Sequence, residues 1–406
     1  MTAVGTLLLW GALCAAAYQL VQLAAAQRFF RRARRQVSDR RPFAPPVTVL
    51  KPLKGAGPEL ERNLESFCRL RYPLYQIVCG VASPDDPAIA VVQRIQRRFP
   101  RRDIVLAVAR EAGTNRKVAN LVHMMRHARY DVLVLSDADV RVEPDYLHAM
   151  VAPLAEPGLG LTTALYRGIA TGTLASRVES LFVNTHCLPM FVTAEWVQGL
   201  HNAYGASIAV KRQALEAIGG FASLAHHLAD DYLLGERIGR AGWRLELLPH
   251  VVGTVLDATS LREVWRHQLR WARTYRAQQP FGWFCSVITH TTLWACLTVA
   301  ATRGSLLGWG TLALALACRI LALGSILRLA GERETLRWLW LAPLTDLAYS
   351  LVWLASWLGR HVEWSGEVLR VEPDGRLVPL PCAERPTAPA APAVPNPVAR
   401  TAQMPR

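Results

Sequence analysis

Residues 3–26 form an apolar stretch that no Asp, Glu, Lys or Arg interrupts. A helix rises about 1.5 Å per residue, so this stretch is long enough to cross a hydrocarbon layer roughly 30 Å thick. Gln19 and Gln22 are its only amide side chains. The stretch predicts a membrane-spanning helix, and a fold for this chain therefore has to place part of it in a bilayer.

The apolar stretch is followed by a run of arginines: Arg28, Arg31, Arg32, Arg34, Arg35, Arg40 and Arg41. A signal peptide carries its positive charges before the apolar core, whereas here they come after it. Because positive residues stay on the cytoplasmic side of a span, we predict an uncleaved anchor that leaves the following domain in the cytoplasm. Nucleic-acid binding is the alternative, but the run abuts a span and contains few aromatic residues beyond Phe29 and Phe30.

Three more apolar runs, rich in Leu, Ala and Trp, lie at 283–302, 306–330 and 338–358. The mean hydropathy of the chain is +0.16, which is high for a soluble enzyme. Arg319 and Asp346 lie inside two of these runs. An intramembrane charge is costly and usually paired, so the two residues are candidates for an ion pair. The alternative is that Arg319 marks the end of a span or a partly inserted helix.

The eight cysteines and the formal net charge of +15 indicate the cellular setting more than the fold. The cysteines show no C-x-x-C spacing, so the sequence predicts neither a disulfide framework nor a zinc knuckle. Isolated thiols are compatible with a reducing cytoplasmic face. The positive charge comes mostly from clustered arginines, so its placement matters more than its total.

Residues 42–258 alternate between short apolar runs and helical patterns. The runs predict buried strands in PVTVLKPLKG, YQIVCGVAS, DIVLAVA and YDVLVLSDADV, and the segments 59–70 and 87–99 have helical periodicity. Strands that alternate with helices predict an α/β domain with a mostly parallel sheet. Ligands of such sheets bind beyond the carboxyl ends of the strands.

These patterns divide the chain into seven segments. They are a transmembrane anchor (1–27), a basic juxtamembrane linker (28–41), the α/β domain (42–258), an interfacial amphipathic helix (259–280), about three transmembrane helices (281–360), a short structured segment (361–380) and a disordered Pro/Ala-rich tail (381–406).

Two carboxylates stand directly after one of the predicted strands. The apolar run Val132–Leu135 leads into Asp137 and Asp139. Residues i and i+2 of a strand point the same way, so the pair can converge on one hard cation such as Mg²⁺ or Mn²⁺. Such a cation would neutralise a departing nucleoside diphosphate, whereas the alternative is an ordinary solvated acidic loop.

A second acidic pair, Asp85 and Asp86, follows the strand QIVCGV. A carboxylate at this place can accept hydrogen bonds from a base or a ribose. The alternative is a simple turn, because Pro-Asp-Asp-Pro is typical turn sequence.

A third acidic pair, Asp230 and Asp231, stands at the start of a helical run. Acidic residues there can cap free N–H groups and complement the helix dipole. His226 and His227 lie four residues before the two acids, so a zinc site is a further alternative, although no other ligand cluster is evident.

The segment SLREVWRHQLRWARTYRA predicts a basic amphipathic helix just before a span. One face carries Leu261, Val264, Trp265, Leu269 and Tyr275, and another carries Arg262, Arg266, Arg270 and Arg273. Such a helix is typical of the membrane interface. Its arginines would either attract lipid headgroups only, or Arg270 and Trp271 would turn towards an active site.

The motifs LKPLKG, DDPA, SDAD, ADDY and HQLRW occur in this order between one N-terminal span and several C-terminal spans. In this respect the chain, over roughly residues 1–375, resembles the ceramide glucosyltransferase family of GT-A membrane glycosyltransferases. AGTNRKVANL, YRG, LADDY and WRHQLRWART are most similar to a bacterial branch, the hopanoid-biosynthesis-associated glycosyltransferases. The resemblance implies inverting transfer of a hexose, glucose or N-acetylglucosamine, from a UDP-sugar to a membrane lipid hydroxyl.

The resemblance also implies roles for individual residues. Asp231 corresponds to the catalytic base, and Asp137 and Asp139 correspond to the D-x-D that binds Mg²⁺ or Mn²⁺. Arg270 and Trp271 match the (Q/R)-x-x-R-W motif as catalytic residues. Contacts to the nucleotide sugar are implied for Lys51, Lys54, Asp86, Asn115, Lys117, Asp137, His267 and Gln268. His267 departs from the motif, which has Gln or Arg there, and the adjacent Gln268 is placed to compensate.

The partners implied are a lipid acceptor, a nucleotide sugar and the bilayer of a bacterial inner membrane, with no nucleic acid. One rival is a hopanoid-specific transferase of the same family. A second is a non-catalytic membrane scaffold, which would not explain acids that recur at strand ends. A third is a processive polysaccharide synthase, for which three C-terminal spans are too few to form a channel.

Overall fold

The computed structural model describes residues 2–37, 43–109, 113–364 and 367–380. The predicted tail at 381–406 and part of the predicted linker, residues 38–41, lie outside the described residues. Within the described ranges the chain forms an α/β body, a group of apolar helices and a small C-terminal sheet.

The helices and strands have the following bounds. The helices are α1 (Ala3–Val37), α2 (Leu60–Cys68), α3 (Ala88–Arg98), α4 (Arg116–Met124), α5 (Tyr146–Val151), α6 (Leu174–Phe182), α7 (Leu188–Gln198), α8 (Arg212–Glu216), α9 (Asp230–Arg240), α10 (Leu261–Gln278), α11 (Pro280–Cys285), α12 (Thr291–Ala301), α13 (Leu306–Leu329) and α14 (Ala342–Ser356). The strands are β1 (Val47–Leu53), β2 (Tyr75–Val81), β3 (Asp103–Val108), β4 (Val132–Ser136), β5 (Val140–Arg141), β6 (Leu159–Ala170), β7 (Ser207–Lys211), β8 (Arg244–Leu256), β9 (His361–Trp364), β10 (Glu367–Val371) and β11 (Leu377–Pro379).

The α/β body contains an eight-stranded sheet with the order β3-β2-β1-β4-β7-β6-β8-β5. Strands β1 to β4 pair in parallel, and β6 and β8 also pair in parallel. Strand β7 runs antiparallel between β4 and β6, and β5 runs antiparallel to β8. All four strands predicted from the sequence are present, which confirms the α/β class.

Strands β1 to β4 consist mostly of apolar residues because helices cover both faces of the sheet. Strands β2 and β4 are buried throughout, and β1 is buried except at Pro52. One core lies on the side of α2 and α3, around Phe67, and the other lies on the side of α4 and α9, around Leu133. The packing leaves the carboxyl end of β4 as the place where polar residues gather.

In the described part of the chain, three helices are long and apolar enough to cross a membrane, namely Ala3–Arg32, Leu306–Leu329 and Thr335–Ser356. Pro280–Thr289 and Thr291–Ala301, bent by 57°, together make a fourth candidate. These helices coincide with the four predicted apolar runs. Helix α1 continues to Val37, so the predicted boundary between anchor and linker lies inside one continuous helix.

Arg319 and Asp346 form a buried ion pair between α13 and α14. Arg319 Nη2 is 2.7 Å from Asp346 Oδ1, and Nε is 3.1 Å from Oδ2. Arg319 also donates to Gln19 Oε1 and to the carbonyl of Thr185, each at 3.2 Å, while Thr292 donates to Asp346. Arg319 therefore lies in the middle of α13 and is paired with Asp346. This agrees with the ion pair predicted from the sequence and not with the alternative that Arg319 marks a helix end.

Strands β9, β10 and β11 form an antiparallel sheet with the order β11-β10-β9. We call this sheet, residues 361–379, the C-terminal meander. Its apolar core is shared with a residue of the α/β body and consists of Leu228, Val362, Leu369, Val371 and Leu377. The meander therefore packs directly on the body that the rest of the chain forms.

Candidate active site

Asp137 and Asp139 lie where β4 ends and the chain turns towards β5. The amide of Asp137 donates to the carbonyl of Ala206, and the carbonyl of Asp139 accepts from the amide of Val255. Oδ1 of Asp139 is buried without a hydrogen-bond partner among the described residues. Burial and the neighbouring Asp137 raise the pKa of Asp139 to about 7. A bound cation would supply the missing partner of this buried carboxylate oxygen.

Lys117 joins this strand end to the first turn of α9. Its Nζ is 2.8 Å from Oδ1 of Asp137 and 3.4 Å from Oδ2 of Asp230. Burial disfavours the ammonium form, but Asp137, Asp230 and Asp231 outweigh burial and raise the pKa of Lys117. Lys117 thus holds a positive charge at the place where the sequence predicts contact with a diphosphate.

Lys51 lies underneath the same strand end. It is fully buried on β1, donates to the carbonyl of Asp137 and lies 4.1 Å from the ring centroid of Phe67. Burial lowers the pKa of Lys51 to about 8, although Asp139 and Asp137 oppose this shift. In the structure Lys51 supports the D-x-D backbone, while its predicted contact with the nucleotide stays a prediction.

Asp230 and Asp231 are the first two residues of α9. Asp230 is 8% exposed and pairs with Lys117. Burial and then the charge of Asp230 raise the pKa of Asp231 to about 6. A Cβ added to Gly205 would lie 2.6 Å from Oδ2 of Asp231, so only glycine lets the loop before β7 approach this carboxylate.

Arg270 projects from α10 towards the acidic residues. Burial lowers the pKa of its guanidinium, whereas Asp137, Glu179, Asp139 and Asp231 oppose the shift. The guanidinium of Arg270 therefore interacts electrostatically with both the D-x-D and the first turn of α9. The next residue, Trp271, packs against an apolar cluster that contains Phe29 and Phe30 of α1, Phe191 of α7 and Ile326 of α13.

His267 lies one turn before Arg270 and contacts a carboxylate that the sequence analysis did not identify. His267 Nδ1 is 2.9 Å from Oε1 of Glu179 on α6, whose side chain is 2% exposed. Gln268 is buried, and its Nε2 has no hydrogen-bond partner in the described part of the chain. Glu179 is the one acid in the sequence LASRVESLF, and this was the signal that could have identified it. Contact of His267 and Gln268 with a nucleotide stays a prediction.

Asp86 and Asn115 are both engaged by the protein itself. Asp86 accepts hydrogen bonds from the backbone amides of Gly55 and Ala88, each at 2.9 Å to Oδ1. Asn115 is the N-cap of α4, accepting from the amide of Val118 and donating to the carbonyl of His227 at 2.7 Å. These bonds position the loops at the edge of the site, and the implied nucleotide contacts of both residues stay predictions.

The zinc alternative does not fit the positions of its candidate ligands. His226 Nδ1 lies 2.9 Å from Oγ1 of Thr114, whereas Asp230 pairs with Lys117. Within the ranges that the structure describes, no group of three or more His, Cys, Asp and Glu side chains is arranged to hold a metal ion. A cation bound by Asp137 and Asp139 would therefore complete its coordination with water and phosphate oxygens, as Mg²⁺ does.

The chain resembles solved glycosyltransferases in fold. A mannosyltransferase from Pyrobaculum calidifontis, solved with GDP-Man and Mn²⁺, aligns with a TM-score of 0.50 and 21% identity over 86% of this chain and 98% of that one. At this identity the likeness shows the fold, which is GT-A.

Several curated relatives of this chain are named ceramide glucosyltransferases. Ceramide glucosyltransferase 1 of Caenorhabditis elegans is 26% identical over 59% of this chain and 52% of its own length. Ceramide glucosyltransferase 3 of the same organism is 21% identical over 83% of this chain and 75% of its own length. The ceramide glucosyltransferase of Candida albicans is 34% identical over 27% of this chain and 22% of its own length. The match to the first of these relatives thus spans about half of that protein.

The family model of glycosyl transferase family 21 matches residues 7–377. This range includes most of the first apolar helix, the α/β body with its acidic cluster, the helix of Arg270 and most of the C-terminal meander. The resemblance to ceramide glucosyltransferases is confirmed, while the hopanoid-associated branch stays a prediction. The chain belongs to glycosyl transferase family 21 and has the GT-A fold.

Proposed function

We propose that the protein transfers a hexose, glucose or N-acetylglucosamine, from a UDP-sugar to the hydroxyl group of a membrane lipid. The observation that carries the proposal is the convergence of Asp137, Asp139, Asp231 and Arg270 at one end of the sheet, beside the apolar helices. The names of the curated relatives support the ceramide-like acceptor. A hopanoid acceptor is the second candidate, carried by the motifs that resemble that branch.

The donor would bind at the carboxyl end of β4. Asp137 and Asp139 would hold a divalent cation, Mg²⁺ or Mn²⁺, which would supply positive charge to the diphosphate. Arg270 would add a fixed guanidinium for the same leaving group, since charge that is already in place stabilises charge that develops in the transition state. Lys117 would keep the strand end and α9 together while a donor is bound.

Asp231 would act as the general base. Its pKa of about 6 leaves it ionised at neutral pH and still basic enough to take a proton from a hydroxyl group. The lipid oxygen would attack the anomeric carbon from the face opposite to the diphosphate, which inverts the configuration. Trp271 would pack near the acceptor, because it connects the site to the apolar cluster of α1 and α13.

The topology proposed for this reaction places the α/β body and Arg333 and Arg337 in the cytoplasm of a bacterium, with the spans in the inner membrane. Positive residues after the first span support it. Reporter fusions or cysteine accessibility at residue 60 and at residue 333 should both report the cytoplasm. A periplasmic signal from residue 60 would overturn this orientation.

The function is tested with purified protein in nanodiscs, UDP-glucose or UDP-N-acetylglucosamine, and separate ceramide, sterol-like and diacylglycerol acceptors. Mass spectrometry should show a lipid that has gained one hexose, and lipids from cells with and without the gene should show the same difference. Absence of sugar transfer with every acceptor, in a folded protein, would favour the non-catalytic scaffold. A polymer that grows by many sugars would favour the processive synthase.

A further inference from the structure

The C-terminal meander pairs with the loop that leads into α9. The amide of Leu228 donates to the carbonyl of Gly375 at 3.1 Å, and the amide of Leu377 donates to the carbonyl of His226 at 2.8 Å. His227 forms a β-bridge with Arg376. The loop 226–228 therefore behaves as a further strand of the meander, two residues before Asp230.

The side chain of Leu228 completes the apolar core of the meander. Leu228 is 6% exposed and packs with Val362, Leu369, Val371 and Leu377, which are each 2–3% exposed. Because such a core is closely packed, a change in one of its side chains displaces the side chains that pack against it. The loop before the acidic pair and the meander consequently form one packed unit.

The arginines of α10 bind the chain at the start of the meander. Arg266 pairs with Glu363 at 3.1 Å. Arg273 donates to the carbonyls of Leu358 and His361, and Arg276 donates to the carbonyl of Gly359 at 2.9 Å. Part of the basic face that the sequence assigned to the membrane interface is thus engaged by the protein itself.

The meander also reaches the first turn of α4. Glu367 of β10 forms an ion pair with Arg116, which directly precedes Lys117. Asn115, the N-cap of α4, holds the carbonyl of His227 in the loop beside the meander. Three elements that carry site residues, namely α4, α9 and α10, are therefore all attached to the same small sheet.

The start of α9, which carries Asp230 and Asp231, lacks a capping side chain of its own. Helix α9 begins after Ala229, whose side chain makes no capping hydrogen bond to the first turn. A helix start without a capping side chain is held less firmly by its own sequence. The position of Asp230 and Asp231 therefore depends on tertiary contacts of the preceding loop.

We propose that the C-terminal meander is a positioning element of the active site, which fixes loop 226–228 ahead of Asp231 and fixes α10 with Arg270. The inference rests on the proposed function for the roles of these two residues. The meander itself would touch no reacting atom. It acts by keeping the base and the guanidinium at a constant separation, because small displacements of catalytic groups cost large factors in rate.

Leu369→Ala tests the proposal, because it opens the shared core without removing a polar contact. Leu70→Ala is the matched control, since Leu70 is equally buried at 2% exposure but lies in the core around α2. Leu369→Val is a milder variant that keeps the meander folded if the Ala variant does not. Each protein is measured for kcat, for the donor KM and for amide hydrogen exchange in a peptide that spans residues 224–234.

For Leu369→Ala we expect faster exchange in this peptide, a kcat at least about tenfold lower and a donor KM within about twofold of the wild type. Leu369→Val should lie between Leu369→Ala and the wild type, and Leu70→Ala should change neither the exchange nor kcat. Unchanged exchange in both Leu369 variants, unchanged kcat despite faster exchange, or an equal loss in Leu70→Ala would overturn the proposal. If the wild type transfers no sugar, the proposed function fails, and the exchange measurement alone decides whether meander and loop are coupled.

Discussion

Lys117 and Asp137 form an ion pair at the carboxyl end of β4, with Nζ 2.8 Å from Oδ1. The same ammonium group is 3.4 Å from Asp230, so one side chain joins the D-x-D to the helix that carries the proposed base. A divalent cation at this strand end would share Asp137 with Lys117. Occupation of the proposed metal position and the placement of α9 are therefore linked through one lysine.

Replacing Lys117 with Met should lower turnover at least about tenfold and shift the acid limb of the pH–rate profile upward. Lys117 lowers the pKa of Asp231, so its loss should raise that pKa above about 6 and leave less ionised base at a given pH. The measurement is kcat from pH 5 to 9, with Lys211→Met as the control. An acid limb that does not move would show that Lys117 does not act on the base.

Removal of divalent cations should stop the reaction. EDTA should abolish transfer, and Mn²⁺ or Mg²⁺ should restore it, because Asp137 and Asp139 supply only part of a coordination sphere. Asp139→Asn should require at least about tenfold more metal for half-maximal activity, since it removes a charged ligand and keeps the shape. Full activity in EDTA would contradict the assignment.

Arg270→Lys should lower turnover at least about tenfold, or about 1.4 kcal/mol of transition-state stabilisation. Lys keeps the charge but cannot offer two parallel N–H groups to a phosphate. Arg262→Lys, on the exposed part of the same helix, is the matched control and should be silent. Flotation of both variants with vesicles should be unchanged. Equal activity of the wild type and the Arg270→Lys variant would leave Arg270 with only a general electrostatic role.

Asp231→Asn should bind the UDP-sugar normally and lose transfer by roughly a hundredfold or more, because Asn keeps the shape without the basicity. Asp230→Asn should lose less, since Asp230 pairs with Lys117. The pKa of Asp231 is raised to about 6, so activity of the wild type should be present above pH 6 and fall as the pH drops through it.

NMR of the lipid product tests whether the reaction inverts the configuration at the anomeric carbon. A single displacement predicts that an α-linked donor gives a β-linked lipid, which NMR of the product distinguishes. A retained configuration would exclude direct displacement, and a fully active Asp231→Asn variant would exclude this residue as the base.

Asp346→Asn should destabilise the protein by about 3–5 kcal/mol, because it leaves the buried guanidinium of Arg319 without its counter-ion. Replacing both residues, Arg319→Leu with Asp346→Leu, should restore much of the lost stability. Thermal unfolding in detergent measures both effects. A double variant as unstable as the single one would show that Gln19, Thr185 and Thr292 need the pair for their own hydrogen bonds.

Much of the framework is set by local sequence. The four apolar runs that precede Asp137 predicted β1 to β4, because strands covered on both faces consist almost entirely of apolar residues. The apolar runs at 3–26 and 306–330 predicted α1 and α13, since a helix needs about 20 mostly apolar residues to cross a hydrocarbon layer. The D-x-D is visible in the same way, because a strand alone places residues i and i+2 on one side.

The tertiary structure decided which of these polar groups meet. Lys117 lies between Asp137 and Asp230, and His267 lies on Glu179, although the members of each set are far apart in the chain. Such contacts depend on the order of the strands and on the crossing of α6 by α10, which no local periodicity contains. The sequence therefore determined the strands, the long apolar helices and the acidic pairs, whereas only the packed fold decided that Lys117 and Arg270 face the acids and that the C-terminal meander packs on the loop before them.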